Sequence, residues 1–168
     1  DLKSIEAARE WFYEGYLQFE LNQTIKQDDY LELSSEDRIL VIDNLNYLKM
    51  INFDFVFCHG DLSLKNLIYS DIQNKFYLID FGSAETNVKD FYEIMLKWIE
   101  VYYEKNLLES EFKLFIQEFL QIDPNNWLDK NIKTIKSFAL LYSLDKYRYA
   151  HDRNKSLEYE YKKRFLNI

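Results

Sequence analysis

Two carboxylates and an amide, Asp61, Asn66 and Asp80, are the residues whose types and spacing could do chemistry together, and all three lie in FVFCHGDLSLKNLIYSDIQNKFYLIDFGSAE, the stretch from Phe55 to Glu85. Within it the apolar run Phe55 to Cys58 reads as a strand leading into His59-Gly60-Asp61, and four residues separate Asp61 from Asn66. A second apolar run, Phe76 to Ile79, leads into Asp80-Phe81-Gly82. Asn66 to Tyr69 can pair with Phe76 to Ile79 as a hairpin, because Ser70-Asp71-Ile72-Gln73-Asn74 supplies turn chemistry between alternating runs. Such a hairpin sets Asn66 and Asp80 side by side at its open end, the placement of oxygen donors that a divalent cation requires.

His-Gly-Asp, four residues, Asn, and then Ile-Asp-Phe-Gly resembles the catalytic and metal-binding segments of the aminoglycoside phosphotransferase and choline kinase family. The protein kinases use H-R-D-x-x-x-x-N and D-F-G for the same tasks. By this resemblance Asp61 is expected to accept the proton of an acceptor hydroxyl. Asp80 and the amide oxygen of Asn66 are expected to hold Mg2+, a hard cation that takes one or two protein oxygens and leaves its other positions to phosphates and waters. Ser63 stands two residues past Asp61, where protein kinases carry a phosphate-contacting lysine. That departure favours a small-molecule kinase, with Ser63 and Lys65 the candidate contacts to the phosphates of ATP or GTP. His59 is expected to brace the loop, and Gly60 to allow tight backbone packing behind it.

The elements that must position this loop are mostly helical. Ser4 to Leu21 reads as an amphipathic helix, with Ile5, Ala8, Phe12, Tyr16 and Phe19 on its core side. Asn22 to Asp29 reads as a connection. Ser34, with Asp37 three residues on, makes a capping pattern ahead of a helix continuing over Ile39 to Ile51, and Asn52 to Asp54 breaks it. Ser83 to Lys89 reads as a loop. Asp90 then caps a helix from Phe91 to about Tyr103, and the family carries an acidic residue at that helix start. Helices are further expected over Leu108 to Ile122, stopped at Asp123-Pro124, over Trp127 to Ala150, and over a last segment ending at about Leu166. His151 shows no obvious partner and reads as a surface residue.

Composition narrows the partners. The chain of 168 residues carries a formal charge of −8 and one cysteine, Cys58, so no intrachain disulfide or cysteine-based zinc site is expected. Nucleic acid is disfavoured because phosphate binding calls for a basic face, whereas an acidic surface suits a cationic substrate. No apolar run has membrane-spanning length and no signal-like start is visible, so a cytoplasmic location is expected. With 14 Tyr and 13 Phe in a chain 48% apolar, disorder is excluded in favour of a packed core.

Pattern and resemblance together imply an α+β, predominantly helical fold. Residues 1–168 would form the C-terminal lobe of a kinase-like fold, with a small β-hairpin carrying the catalytic and metal loops. Neither a phosphate-covering glycine loop nor a strand lysine is visible upstream of Phe55, and the chain begins at Asp1 without a methionine, so the N-terminal nucleotide lobe is expected to be missing and the isolated chain inactive. The sole proline, Pro124, provides no Ala-Pro-Glu anchor of the kind protein kinases carry. The implied activity is transfer of the γ-phosphate of ATP or GTP to a hydroxyl of a small, cationic molecule, an aminoglycoside or amino alcohol, with antibiotic resistance as one setting. Glu85, Asp90 and Glu93 are available to pair with amines, and Trp98 and Tyr102 to cage a quaternary ammonium, although each has an ordinary structural role as well. The competing readings are a noncatalytic kinase-like scaffold and an atypical small protein kinase.

Overall fold

A computed structural model describes residues 2–26, 31, 33–60, 64–88, 91–153 and 155–166. Helices predominate, with a small β part made of two separate antiparallel pairs, so the α+β, mainly helical class holds. The order is α1 (Leu2–Glu10), a π-helical segment (Trp11–Leu17), α2 (Gln18–Lys26), α3 (Ser35–Lys49), β1 (Phe55–Cys58), β2 (Leu67–Ser70), β3 (Lys75–Leu78), β4 (Glu85–Val88), α4 (Phe91–Ile99), a second π-helical segment (Glu100–Glu104), α5 (Glu109–Leu120), α6 (Pro124–Arg153) and α7 (Lys155–Leu166).

The first helix differs from its expected register. An α-helix repeats every 3.6 residues, but a π turn bonds i to i+5 and inserts an extra residue. The buried side therefore steps from Phe12 to Leu17, then to Glu20 and Thr24, while Phe19 is 56% exposed. Asn22 to Lys26 also belongs to α2 rather than to a connection. One tertiary and one intrahelical bond brace that end. Buried Glu20 accepts from Arg148 on α6, and Thr24 Oγ1 donates to the Glu20 carbonyl at 2.8 Å.

The Ser34 cap forms as its sequence implies. Its hydroxyl accepts from Asp37 N at 3.1 Å, and Asp37 Oδ2 accepts from Ser34 N at 3.2 Å. The helix starts at once, at Ser35, and ends at Lys49. Asp123-Pro124 stops α5 but also starts α6. Pro124 has no N–H to leave unbonded in a first turn, and the Asp123 carboxylate accepts from Asn125 N and Asn126 N, both at 3.3 Å. Helix α6 is the spine of the fold. Its Thr134 and Ser137 bond Tyr47 and Asn44 of α3, and its Ile135, Phe138, Leu141 and Leu144 are buried. At its far end His151 Nδ1 meets Glu158 Oε1 of α7 at 2.6 Å, so His151 is a clamp between helices rather than a solitary surface residue. Phe165 is fully buried at the end of α7.

The hairpin pairs in the expected register, with Leu67 opposite Leu78 and Tyr69 opposite Phe76, its strands running Leu67–Ser70 and Lys75–Leu78. Part of the expected loop Ser83 to Lys89 is instead β4, which pairs with β1 so that Phe55 faces Val88 and Cys58 faces Glu85. Thr86 and Asn87 carry no apolar signal. Only backbone pairing with β1 makes the segment a strand.

The shifted register of the first helix yields a direct test. Leu17→Ala should lower unfolding stability by about 2–5 kcal/mol, while Phe19→Ala should change it by less than about 0.5 kcal/mol, as read from urea melts. Equal losses at the two positions would place the buried side where an uninterrupted α-helix puts it.

Candidate functional site

The site is built where the ends of β1, β2 and β3 meet α4. Asn66, 4% exposed, closes a 3-10 turn (Leu64–Asn66) and leads into β2. Its carbonyl accepts from Ile79 N at 2.9 Å, which extends the hairpin pairing by one step and brings Asp80 next to the Asn66 end. His59 crosses from the end of β1 to the same point, its Nε2 lying 2.9 Å from the Ile79 carbonyl oxygen. The His59 ring also meets the Phe81 ring edge-on at 4.7 Å. His59 thus joins the two motif segments through one backbone group and one ring.

Asp80 adopts φ 58° and ψ 69°, the left-handed region, where short polar side chains are tolerated better than others. Its Oδ1 accepts from Gly82 N at 3.3 Å, and a Cβ at Gly82 would stand 3.2 Å from that oxygen. Glycine at this position therefore lets the carboxylate fold back over the turn. The carboxylate is solvent-accessible and has no cationic partner among the described residues.

The residue that composition did not single out for this task is Glu93. It lies on α4, is 5% exposed, and its Oε1 accepts from Gly60 N at 3.0 Å. Its Oε2 is buried with no hydrogen-bond partner. Gly60 itself has φ 82°, a conformation that a side chain would strain. Glu93 thus fixes the backbone that enters Asp61, and it is not oriented as a free partner for a substrate amine. Asp61 and Ser63 lie outside the described residues, as does Asp90. Lys65 is exposed, one residue before Asn66.

Trp98 and Tyr102 sit well along α4 and its π-helical continuation, beside Lys136, whose ammonium lies 6.0 Å from the Trp98 ring centre. They do not form a cage at the loop. A different cavity, of about 310 Å³, lies between the first helix, β4 and α6, and its lining residue Glu85 pairs with Cys58, one residue before His59. Its aromatic lining includes Trp11, Tyr16 and Tyr149, and its carboxylates are Glu85 and Asp145. Tyr16 donates to Asp145 Oδ2 at 3.1 Å, and Trp11 stacks on Tyr16 with ring centres 5.7 Å apart. Desolvation, with help from Asp145, raises the Tyr16 phenol well above its ordinary value, so Tyr16 stays a donor. Desolvation also raises the Asp145 carboxyl, against the opposing pull of Arg148.

No family model matches the chain, and neither a curated protein nor a solved structure does. Asn66 and Asp80 meet the chemistry of a magnesium site, since one accessible carboxylate and one amide are hard oxygen donors suited to an ion that keeps most positions for phosphate and water. Among the described residues there is no cluster of three or more His, Cys, Asp or Glu able to hold a metal by themselves.

Glu93→Ala should leave Gly60 N–H without its acceptor and cost about 1–3 kcal/mol in chemical denaturation, while Glu93→Gln should cost less because it keeps an acceptor oxygen. Amide exchange at Gly60 should accelerate in the alanine variant and stay slow in the glutamine one. Equal exchange in both variants would remove Glu93 from its bracing role.

Proposed function

We propose that this chain is the catalytic lobe of a kinase-like phosphotransferase that moves the γ-phosphate of ATP or GTP to a hydroxyl of a small cationic molecule. One observation carries the reading: the hairpin end brings Asn66 beside Asp80, and His59 ties the Asp61-bearing loop to the same backbone step. A scaffold free of catalysis has no physical need to gather an accessible carboxylate, a buried amide and a braced loop at one point.

In this reading the acceptor hydroxyl attacks the γ-phosphorus, a P–O bond forms, the bond to the leaving diphosphate breaks, and Asp61 takes the hydroxyl proton. Magnesium, when bound, neutralises charge developing on the phosphates. Asp80 and Asn66 would supply its protein oxygens, and Ser63 and Lys65 lie close enough in sequence to meet phosphate oxygens. His59 and Glu93 fix the backbone up to Gly60, and orientation of this kind is a large part of catalysis in phosphoryl transfer. The cavity walled by Trp11, Tyr16 and Tyr149, with Glu85 and Asp145 for amines, is the acceptor pocket. Aromatic faces and carboxylates together attract an ammonium group.

The hairpin surface supports a nucleotide-covering partner. Phe57, Ile68, Tyr69, Phe76, Tyr77 and Phe81 are all exposed, Phe76 to 71%. A two-stranded sheet is marginal without a further layer, and each face of this hairpin carries an exposed apolar pair, Ile68 with Tyr77 on one and Tyr69 with Phe76 on the other. A nucleobase and a covering lobe would rest on it, which keeps the chain alone a weak nucleotide binder. No helix among the described residues is long and apolar enough to cross a membrane, and a cytoplasmic setting suits a nucleotide-dependent enzyme.

Phosphoryl transfer by the parent protein should fall at least about 100-fold in Asp61→Asn with the thermal melt unchanged, since removal of a positioned general base costs roughly 10²–10⁴. In Asp80→Ala, calorimetry should show weaker Mg-nucleotide binding, with nucleotide binding in EDTA unaltered. Undiminished transfer by Asp61→Asn would convert the reading to a scaffold. Thermal-shift screening against aminoglycosides, choline-like amines and amino alcohols should find ligands whose shift is reduced by Glu85→Gln.

A further inference from the structure

A second cavity opens at the other end of α4. From Glu93 to Trp98 is five residues, about 7.5 Å along a helix axis, and beyond Trp98 the helix widens into the π-helical segment that carries Tyr102 and Tyr103. The cavity measures about 740 Å³, within the span of ligand sites. Trp98 meets both tyrosines, with ring centres 5.2 and 5.4 Å away, so that three rings make a continuous apolar wall. Its ionic groups are Lys136 on α6 and Lys163 and Glu160 on α7.

The sign of these charges is the unusual part. The chain carries −8 overall, yet this cavity holds two lysines against one glutamate. Lys136 has no carboxylate partner among the described residues, and its ammonium lies 6.0 Å from the centre of the Trp98 ring. A cation positioned over an indole, at the mouth of an apolar wall, suits a ligand with a flat body and a negative end. Burial raises the phenol of Tyr102, with Glu109 adding to the effect, so the hydroxyl remains a hydrogen-bond donor at neutral pH. We propose that this cavity binds a small aromatic carboxylate, its ring plane against Trp98 and Tyr102 and its carboxylate on Lys136. This site is separate from the acceptor pocket and does not depend on the phosphotransferase reading.

The probe is 2-naphthoate, titrated calorimetrically into the whole chain at neutral pH, with 2-naphthylmethylamine as the opposite-charge control. Saturable binding of the naphthoate is expected, with the amine failing to compete. Lys136→Glu should weaken the naphthoate at least about fivefold, because it replaces an exposed attraction with a repulsion. Lys136→Gln, which carries no charge reversal, should weaken it less and guards against a folding defect in the glutamate variant. Tyr102→Ala should weaken it as well. Glu85→Gln in the other cavity should leave naphthoate binding unchanged, so loss of the acceptor reading and loss of this one are distinguishable. Absence of saturable binding, an affinity indifferent to both Lys136 variants, or equal binding of the amine would each overturn the proposal.

Discussion

Phe138 in the middle of α6 is the point on which the remaining architecture leans. Its ring lies 6.0 Å from Phe12, 5.5 Å from Phe53 and 6.0 Å from Phe91, centre to centre. Those three rings come from the first helix, the approach to β1 and the first turn of α4. Phe12 further meets Phe53 and Phe55 edge-on, and Phe91 continues the cluster to Trp127. Aromatic side chains bury large areas, and edge-to-face pairs add directional attraction of about 0.5–1.5 kcal/mol each. The cluster therefore does more than fill space: it fixes the angle at which β1 leaves the helical body. His59 and Gly60 follow β1 directly, and Glu93 stands two residues beyond Phe91, so the loop inherits its position from these rings.

Polar bonds refine what the rings set. Tyr13 donates its hydroxyl to the Ile51 carbonyl and accepts from Phe53 N at 3.0 Å, pinning the chain as it leaves α3. Glu20 and Arg148 then tie α2 to α6 in a place where either charge alone would be costly to bury. The hairpin is held differently. Both its faces are largely solvent-accessible, and its link to the body runs through Asn66, Ile79, His59 and Phe81 rather than through core packing. A packed helical body carrying a hairpin joined to it by a few polar and ring contacts is the outcome.

The sequence made some of this legible, and the reasons differ by element. The hairpin could be read because its turn residues separate two alternating runs, and the Ser34 cap because one hydroxyl and one carboxylate at fixed spacing satisfy each other. Strand β4 could not, since Thr86 and Asn87 have no apolar period and their pairing comes from residues some thirty positions earlier. Asp123-Pro124 signals a stop in the sequence, and the same chemistry that ends one helix begins the next. His151 found its partner seven residues on across a helix corner, beyond any i, i+4 rule. Glu93 left a usable signal. It is a charge in Phe-Tyr-Glu-Ile-Met-Leu-Lys-Trp-Ile, a helix apolar on nearly all sides, and a carboxylate buried in such a helix must find a donor. Gly60 N is that donor.

The two π-helical segments explain why the molecule has its cavities where it does. A π turn is wider than an α turn and disrupts the regular ridges by which helices pack, and such turns occur often at functional sites. The segment Trp11–Leu17 supplies Trp11, Phe12 and Tyr16 to one cavity, and Glu100–Glu104 supplies Tyr102 and Tyr103 to the other. In each case the π-helical segment contributes aromatic side chains to the lining of the cavity. The two gaps then diverge in charge, because Glu85 and Asp145 outnumber Lys146 at the first while Lys136 and Lys163 outnumber Glu160 at the second. Each π-helical segment thus contributes to an aromatic wall, and the residues that α6, α7 and β4 place beside these walls set the sign of the charge around each cavity.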